Sequence, residues 1–338
     1  MGRIVTFGEL MIRLAPIGYY RFFQNDQMQA TFGGSEANVA VSLAQFGLES
    51  RYVTKLPSHA IGQAGVDSLR YFGVDTSKIV RGGDRVGIYF IEKGIAQRSS
   101  DCIYDRKNSS FAASKKEDFD WDDIFEGASW FHFSGITPAL SDEMAEICEI
   151  ACKEAKKRNM TVSCDLNYRS KLWDREKAAK VIGNLCRYAD VCISNSEEVR
   201  DLFGIEEKNR TDKEFDYESR YKSAKILSEK FGFKKVALIL RNVYSVHEST
   251  WSGIICDSGK CCHSKTYRLH IVDGVGGGDA FCAGIIYSLC KSRNAQDTVE
   301  FAVAASALKY TVEGDYNRIT AEEAERLAES KSADFMQR

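Results

Sequence analysis

Strand-like and helix-like segments alternate along nearly all of this 338-residue chain, and this alternation restricts the fold more than any other feature. Ile4–Phe7 reads as a short strand, Ala37–Phe46 carries apolar residues at helical spacing and is closed by Gly47, and Tyr52–Leu56 reads as a strand. Gly65–Phe72 predicts a helix ended by Gly73. A strand at Trp130–Phe133, a long helix at Asp142–Arg158 and a buried strand at Thr161–Asp165 follow. The rhythm continues with helix 175–188, strand 190–194, helices 196–203 and 218–231, and strand 235–240. It closes with helices 279–292, 296–311 and 321–330. Such alternation implies an α/β fold with a mainly parallel sheet covered on both faces. Two stretches break it, about 10–31 and 86–105, which are extended without intervening helices. They predict either a small antiparallel sheet projecting as a lid or an ordinary edge hairpin. Residues 206–217 are polar and charged and predict a surface loop.

Composition narrows the partners. With 46 Lys plus Arg against 48 Asp plus Glu, the net charge of −2 supplies no basic field for nucleic acid. No apolar run approaches the ~20 residues needed to span a bilayer. The first residues form a strand pattern rather than a signal peptide, so a cytoplasmic protein without membrane partners is expected. Eleven cysteines are scattered without a CxxC pair or zinc-finger spacing, which predicts reduced thiols used as small hydrophobes.

The run Leu269–Gly284 carries the most chemistry. A β-type segment, 269–272, leads into Asp273-Gly-Val-Gly-Gly-Gly-Asp279 and then into an amphipathic helix. Gly276, Gly277 and Gly278 let backbone amides approach an anion without Cβ interference, and the helix N-terminus adds partial positive charge there. Asp279 has two readings. It is an N-cap of the following helix, or a general base that takes a proton from an alcohol while the amides hold a phosphoryl group. Other nucleotide signatures are missing: Gly8-Glu-Leu-Met stands where a GxGxxG would lie, and Lys260 is followed by Cys261 rather than Ser or Thr.

Three motifs in order, Gly33-Gly34-Ser-Glu-Ala-Asn38, Asn195-Ser-Glu-Glu198 and the 273–279 turn, resemble the ribokinase-like carbohydrate kinases, the pfkB family. The resemblance implies one ribokinase-like domain over 1–338, a three-layer sandwich with a mainly parallel central sheet and a small antiparallel β lid. It further implies ATP and Mg²⁺, with Asn167, Asn195, Arg241, Gly276 and Gly278 on the nucleotide and Glu198 on the metal through water. Within the family, the segments 104–110, 131–140 and 165–173 are similar to 2-keto-3-deoxygluconate kinases. That similarity assigns Gly34, Asn38, Tyr89, Tyr104, Arg106, Arg169 and Asp315 to the sugar acid. An arginine fork suits the carboxylate that ribose and fructose lack. Read by themselves, Arg106 is equally a solvated lid residue, Tyr89 and Tyr104 strand packing, and Asp315 a Gly-Asp turn. His132 reads as a packed histidine rather than a catalyst. The expected activity is ATP-dependent phosphorylation of 2-keto-3-deoxygluconate to 2-keto-3-deoxy-6-phosphogluconate. The alternatives are fructose or 2-keto-3-deoxygalactonate as acceptor, or a non-catalytic sugar- or nucleotide-binding protein of the same fold. A homo-oligomer is expected from the exposed lid strands. Similar keto-deoxy sugar kinases often carry Arg at the position of Gly274, so the resemblance implies that one positive group near the phosphates is missing.

Overall fold

A computed structural model describes residues 2–205 and 215–330, so most of the expected loop at 206–217 lies outside the described residues. Apolar residues alternate along the strands as their period of two demands. Val5, Phe7, Phe131, Phe133, Val162 and Cys164 turn to one side of the central sheet, and Ile4, Trp130, Val191 and Ile193 to the other. Helices Asp142–Lys157, Arg175–Cys186, Ser196–Phe203 and Tyr217–Phe231 cover the first side. Helices Ser35–Gln45, Gly277–Cys290, Ala295–Lys309 and Ala321–Glu329 cover the second. The result is the expected three-layer α/β sandwich.

Six strands of the nine-stranded sheet run parallel in the order Ser50–Val53, Arg3–Phe7, Ala128–Ser134, Thr161–Asp165, Val191–Asn195 and Lys235–Val243. Glu248–Asp257 then returns antiparallel and carries Lys260–His263 and Tyr267–His270 on its far side. The lid is a separate four-stranded sheet, in the order Met28–Gly33, Met11–Pro16, Gly87–Glu92, Asp101–Asp105. Its two outer pairs are antiparallel, and its central pair runs parallel because two distant chain segments meet there. A projecting lid, rather than an edge hairpin, is therefore what breaks the alternation.

Three expectations need correction. The strand read over Tyr52–Leu56 is two elements, because the chain leaves the central sheet after Val53 and Lys55–Leu56 pairs with Val80–Arg81. The helix read from Gly65 starts at Ala60, its first turns hidden in the sequence by Gly62 and Gly65. Not every cysteine is a free thiol: Cys256 and Cys261 face each other directly across a tight hairpin and are disulfide-bonded. Nine others are free, and most are buried as small hydrophobes.

Candidate active site

The carboxyl ends of the parallel strands open onto a cavity of about 360 Å³ beneath the lid. Open α/β sheets bind ligands at such ends. The uncapped N-termini of two helices, Ser35–Gln45 and Gly277–Cys290, also reach it. Gly276 is the N-cap of the second helix in the left-handed conformation, φ +82°, where side chains are strained. The first intrahelical bond runs from Ala280 N to Gly276 O, 2.9 Å, and no side chain caps the amides before it. Those amides are free to receive an anion.

Asp279 stands at the third position of this helix, so the N-cap reading fails. Its carboxylate instead accepts hydrogen bonds from Ser35 Oγ at 2.8 Å and Asn38 Nδ2 at 2.7 Å, both on the facing helix. Burial pushes its pKa up to about 6, against the pull of Asn38, Ser35 and Arg169. A carboxylate so poised is charged at neutral pH yet basic enough to take a proton. Asn167 Nδ2 bonds Ser35 Oγ at 3.1 Å and Asp165 Oδ2 at 3.0 Å, linking Asp279 through Ser35 to a second carboxylate. Burial, then the charges of Glu198 and Asp279, hold Asp165 well above the ordinary carboxylate range.

Every residue nominated from the sequence lines this cavity except Gly277. Gly277 is buried, and a Cβ there would lie 2.2 Å from the Tyr310 ring, so its glycine serves packing. Gly278 has open space, with nothing within 4 Å of such a Cβ. Gly34 needs glycine for a close approach, its Cβ position lying 2.1 Å from Glu9 O. On the lid side, Tyr89 and Tyr104 sit with ring centroids 6.1 Å apart, and the Arg106 guanidinium lies 5.6 Å from the Tyr104 ring. Arg106 is buried and pairs with Glu9 at 2.5 Å. Arg169 is about half exposed at the rim, 3.8 Å from Glu198. Asp315 is buried, accepting from Tyr89 Oη at 2.6 Å and from Arg13 Nη1 at 2.9 Å. Arg241 bonds Glu197 at 2.9 Å from within its strand, where it lies opposite Trp251. Glu198 accepts from Ser194 Oγ at 2.9 Å and completes a capping box with Asn195. His132 is fully buried against Ser163, and burial lowers its pKa to about 3, so it stays neutral and packed.

Sequence reasoning missed Ser35, Glu9, Arg13, Asp165 and the role of Asp273. Asp273 accepts from Val275 N at 3.1 Å, Gly314 N at 3.0 Å and Arg13 Nη2 at 2.7 Å, so it shapes the turn rather than meeting ligand. Ser35 directly follows the double glycine and was the one findable signal, as a hydroxyl in the first turn of a helix. Arg13 shows only as a charge in an alternating strand.

Uncapped amides at a glycine turn and a buried carboxylate with a raised pKa in the same cavity are the parts that phosphoryl transfer to an alcohol needs. Comparison with known proteins narrows the class: residues 1–322 match the pfkB family of carbohydrate kinases, and the chain belongs to that family. It is a sugar kinase. A 2-dehydro-3-deoxygluconokinase structure from Thermotoga maritima superposes with a TM-score of 0.94 at 45% identity, over 97% of this chain and 98% of that one. The 2-dehydro-3-deoxygalactonokinase of Haloferax volcanii is 30% identical over 96% of both chains. The 2-dehydro-3-deoxygluconokinase of Bacillus subtilis is 26% identical over 98% of both.

Proposed function

We propose that this kinase transfers the terminal phosphoryl group of ATP to the end hydroxyl of 2-keto-3-deoxygluconate, also called 2-dehydro-3-deoxygluconate. The products are 2-keto-3-deoxy-6-phosphogluconate and ADP. The supporting observation is that Arg106 and Arg169, beside Tyr89 and Tyr104, line the same cavity as Asp279. Two guanidinium groups suit an acidic sugar, and the tyrosine rings suit its carbon chain. The Thermotoga and Bacillus relatives carry the name of that activity.

In this reading Asp279 takes the proton of the attacking hydroxyl as the O–P bond forms and the bond to the ADP oxygen breaks. The amides at Gly276–Gly278 receive the charge spread over the transferred group. Asn167, Asn195 and Arg241 hold the nucleotide. Asp165 and Glu198 fit Mg²⁺ held through its water shell, since both are carboxyls in a cavity where negative charge is crowded. Bound with the nucleotide, Mg²⁺ supplies neutralisation of the phosphate charge. The lid keeps water from competing with the sugar. No helix among the described residues is long and apolar enough to cross a membrane. We assign the enzyme to the cytoplasm, as a homo-oligomer joined through its lid edges.

The second reading is 2-keto-3-deoxygalactonate as acceptor, favoured by the Haloferax relative's name. An acceptor panel with ATP tests both. Turnover highest on 2-keto-3-deoxygluconate is expected; fructose outperforming either acid would remove the carboxylate argument.

A further inference from the structure

Lys309 ends the helix Ala295–Lys309 and is one of the largest fully buried side chains, with 0% exposure. Lysines at helix ends ordinarily reach for water along their stems. This one turns inward, directly under the glycine turn. Its Nζ donates to three backbone carbonyls: Val275 O at 3.0 Å, Val312 O at 3.1 Å and Gly314 O at 2.8 Å. An ammonium has three protons to donate, so none is left unused.

Those carbonyls belong to two different turns. Val275 immediately precedes Gly276, the N-cap of the phosphate-facing helix, whereas Val312 and Gly314 lead into Asp315. Neighbours of Lys309 act on the same turns. Ser306 Oγ bonds Gly277 O at 2.7 Å, Tyr310 O accepts from Val272 N at 2.9 Å, and the Tyr310 ring lies against Gly277. Asp273 bridges the two turns through Val275 N and Gly314 N. Burial pulls the Lys309 pKa down from its ordinary value, while Asp273 and Asp315 oppose that pull. An apolar side chain in this place would leave three carbonyls facing one another unpaired.

We propose that Lys309 is a positioning residue for phosphoryl transfer, a tethered cation that clamps the glycine turn to the 311–315 turn and holds the amides in register with Asp279. The proposal rests on the sugar-kinase assignment and not on which sugar is used. The test compares wild type with Lys309→Met and Lys309→Ala, using ATP and whichever acceptor wild type turns over best. Assays run in sodium chloride and in equal concentrations of methylammonium chloride, and thermal melts accompany them.

The expected result is a fall in kcat of about 100-fold, the scale of losing one preorganised element of an anion hole. The acceptor KM stays within about threefold, because Tyr104, Arg106 and Arg169 are untouched. Methylammonium restores Lys309→Ala by about tenfold or more, and sodium does not, on the scale of the one clamp it replaces. A kcat within about threefold of wild type overturns the proposal. So does a loss of kcat that follows acceptor binding or cooperative melting and that no amine repairs, since that is a structural lysine. Wild type failing on every acceptor would count against the proposed function instead.

Discussion

The two walls of the cavity are built differently. The glycine-turn wall is held through its backbone groups: glycines pressed against the Tyr310 ring and Asp315 O, carbonyls bound by Lys309, and amides bound by Asp273, which also joins it to the other wall through Arg13. The acceptor wall is held by charges on side chains: Arg106 on Glu9, Arg13 on Asp315 and Asp273, and Arg169 loosely near Glu198. Backbone restraints cannot exchange partners without unfolding a turn, whereas ion pairs can trade one carboxylate for another. The Arg106–Glu9 pair is a carboxylate complex already made, and in the function proposed above an acidic sugar would compete with Glu9 for the same fork. In the function proposed above, the wall that meets the phosphoryl group is therefore the fixed one, and the wall that meets the sugar is the exchangeable one.

That contrast is easiest to break at Asp279. Asp279→Asn keeps the bonds to Ser35 or Asn38 largely in place but cannot accept a proton. We expect kcat to fall about 1,000-fold or more, while sugar affinity measured by calorimetry stays within about threefold. Arg106→Lys keeps the charge and loses the fork. It should raise KM for the acidic sugar by roughly tenfold and leave KM for ATP nearly unchanged, which steady-state kinetics will read. Gly277→Ala forces a methyl into the Tyr310 ring and should destabilise the fold by about 1–3 kcal/mol. Gly278→Ala, with open space around it, should melt nearly as wild type does. Equal melting of the two variants would mean the glycine-turn wall is softer than its geometry implies. The smallest effect is expected at Ser35, whose bond favours the charged form of Asp279. Ser35→Ala should move the acid limb of kcat/KM upward by under about one pH unit.

The sequence revealed the glycine-turn wall better than the acceptor wall, and for the same physical reason. A glycine-rich strand-to-helix turn leaves its mark in the residue types, so Gly276–Gly278 could be read as an anion-facing turn, while spacing alone left Asp279 open between an N-cap and a base. Ion pairs leave no such mark. Arg13 and Asp273 lie 260 positions apart, and only the folded lid brings them within 2.7 Å. Lys309 is hidden more thoroughly, because a lysine in the last turn of a helix is the ordinary choice for complementing the helix dipole. The Cys256–Cys261 bond leaves no mark in the cysteine spacing, because only the pairing of Glu248–Asp257 with Lys260–His263 sets the two residues opposite each other. Helices and parallel strands were legible where their apolar period ran uninterrupted, as at Thr161–Asp165 and Ser196–Phe203.

In the proposed mechanism Asp279 is the base, its pKa raised by burial and moderated by hydrogen bonds from Asn38 and Ser35. The pH dependence of kcat/KM tests it most directly, because that ratio reports the free enzyme's essential groups. Activity requires the deprotonated form, and the folded-state pKa is raised to about 6 from an ordinary carboxylate's 3.8. Rate should therefore climb tenfold per pH unit below about 6 and level off above it, and the residual activity of Asp279→Asn should lack that limb. A wild-type profile flat down to pH 4.5, or the same limb persisting in Asp279→Asn, would contradict it.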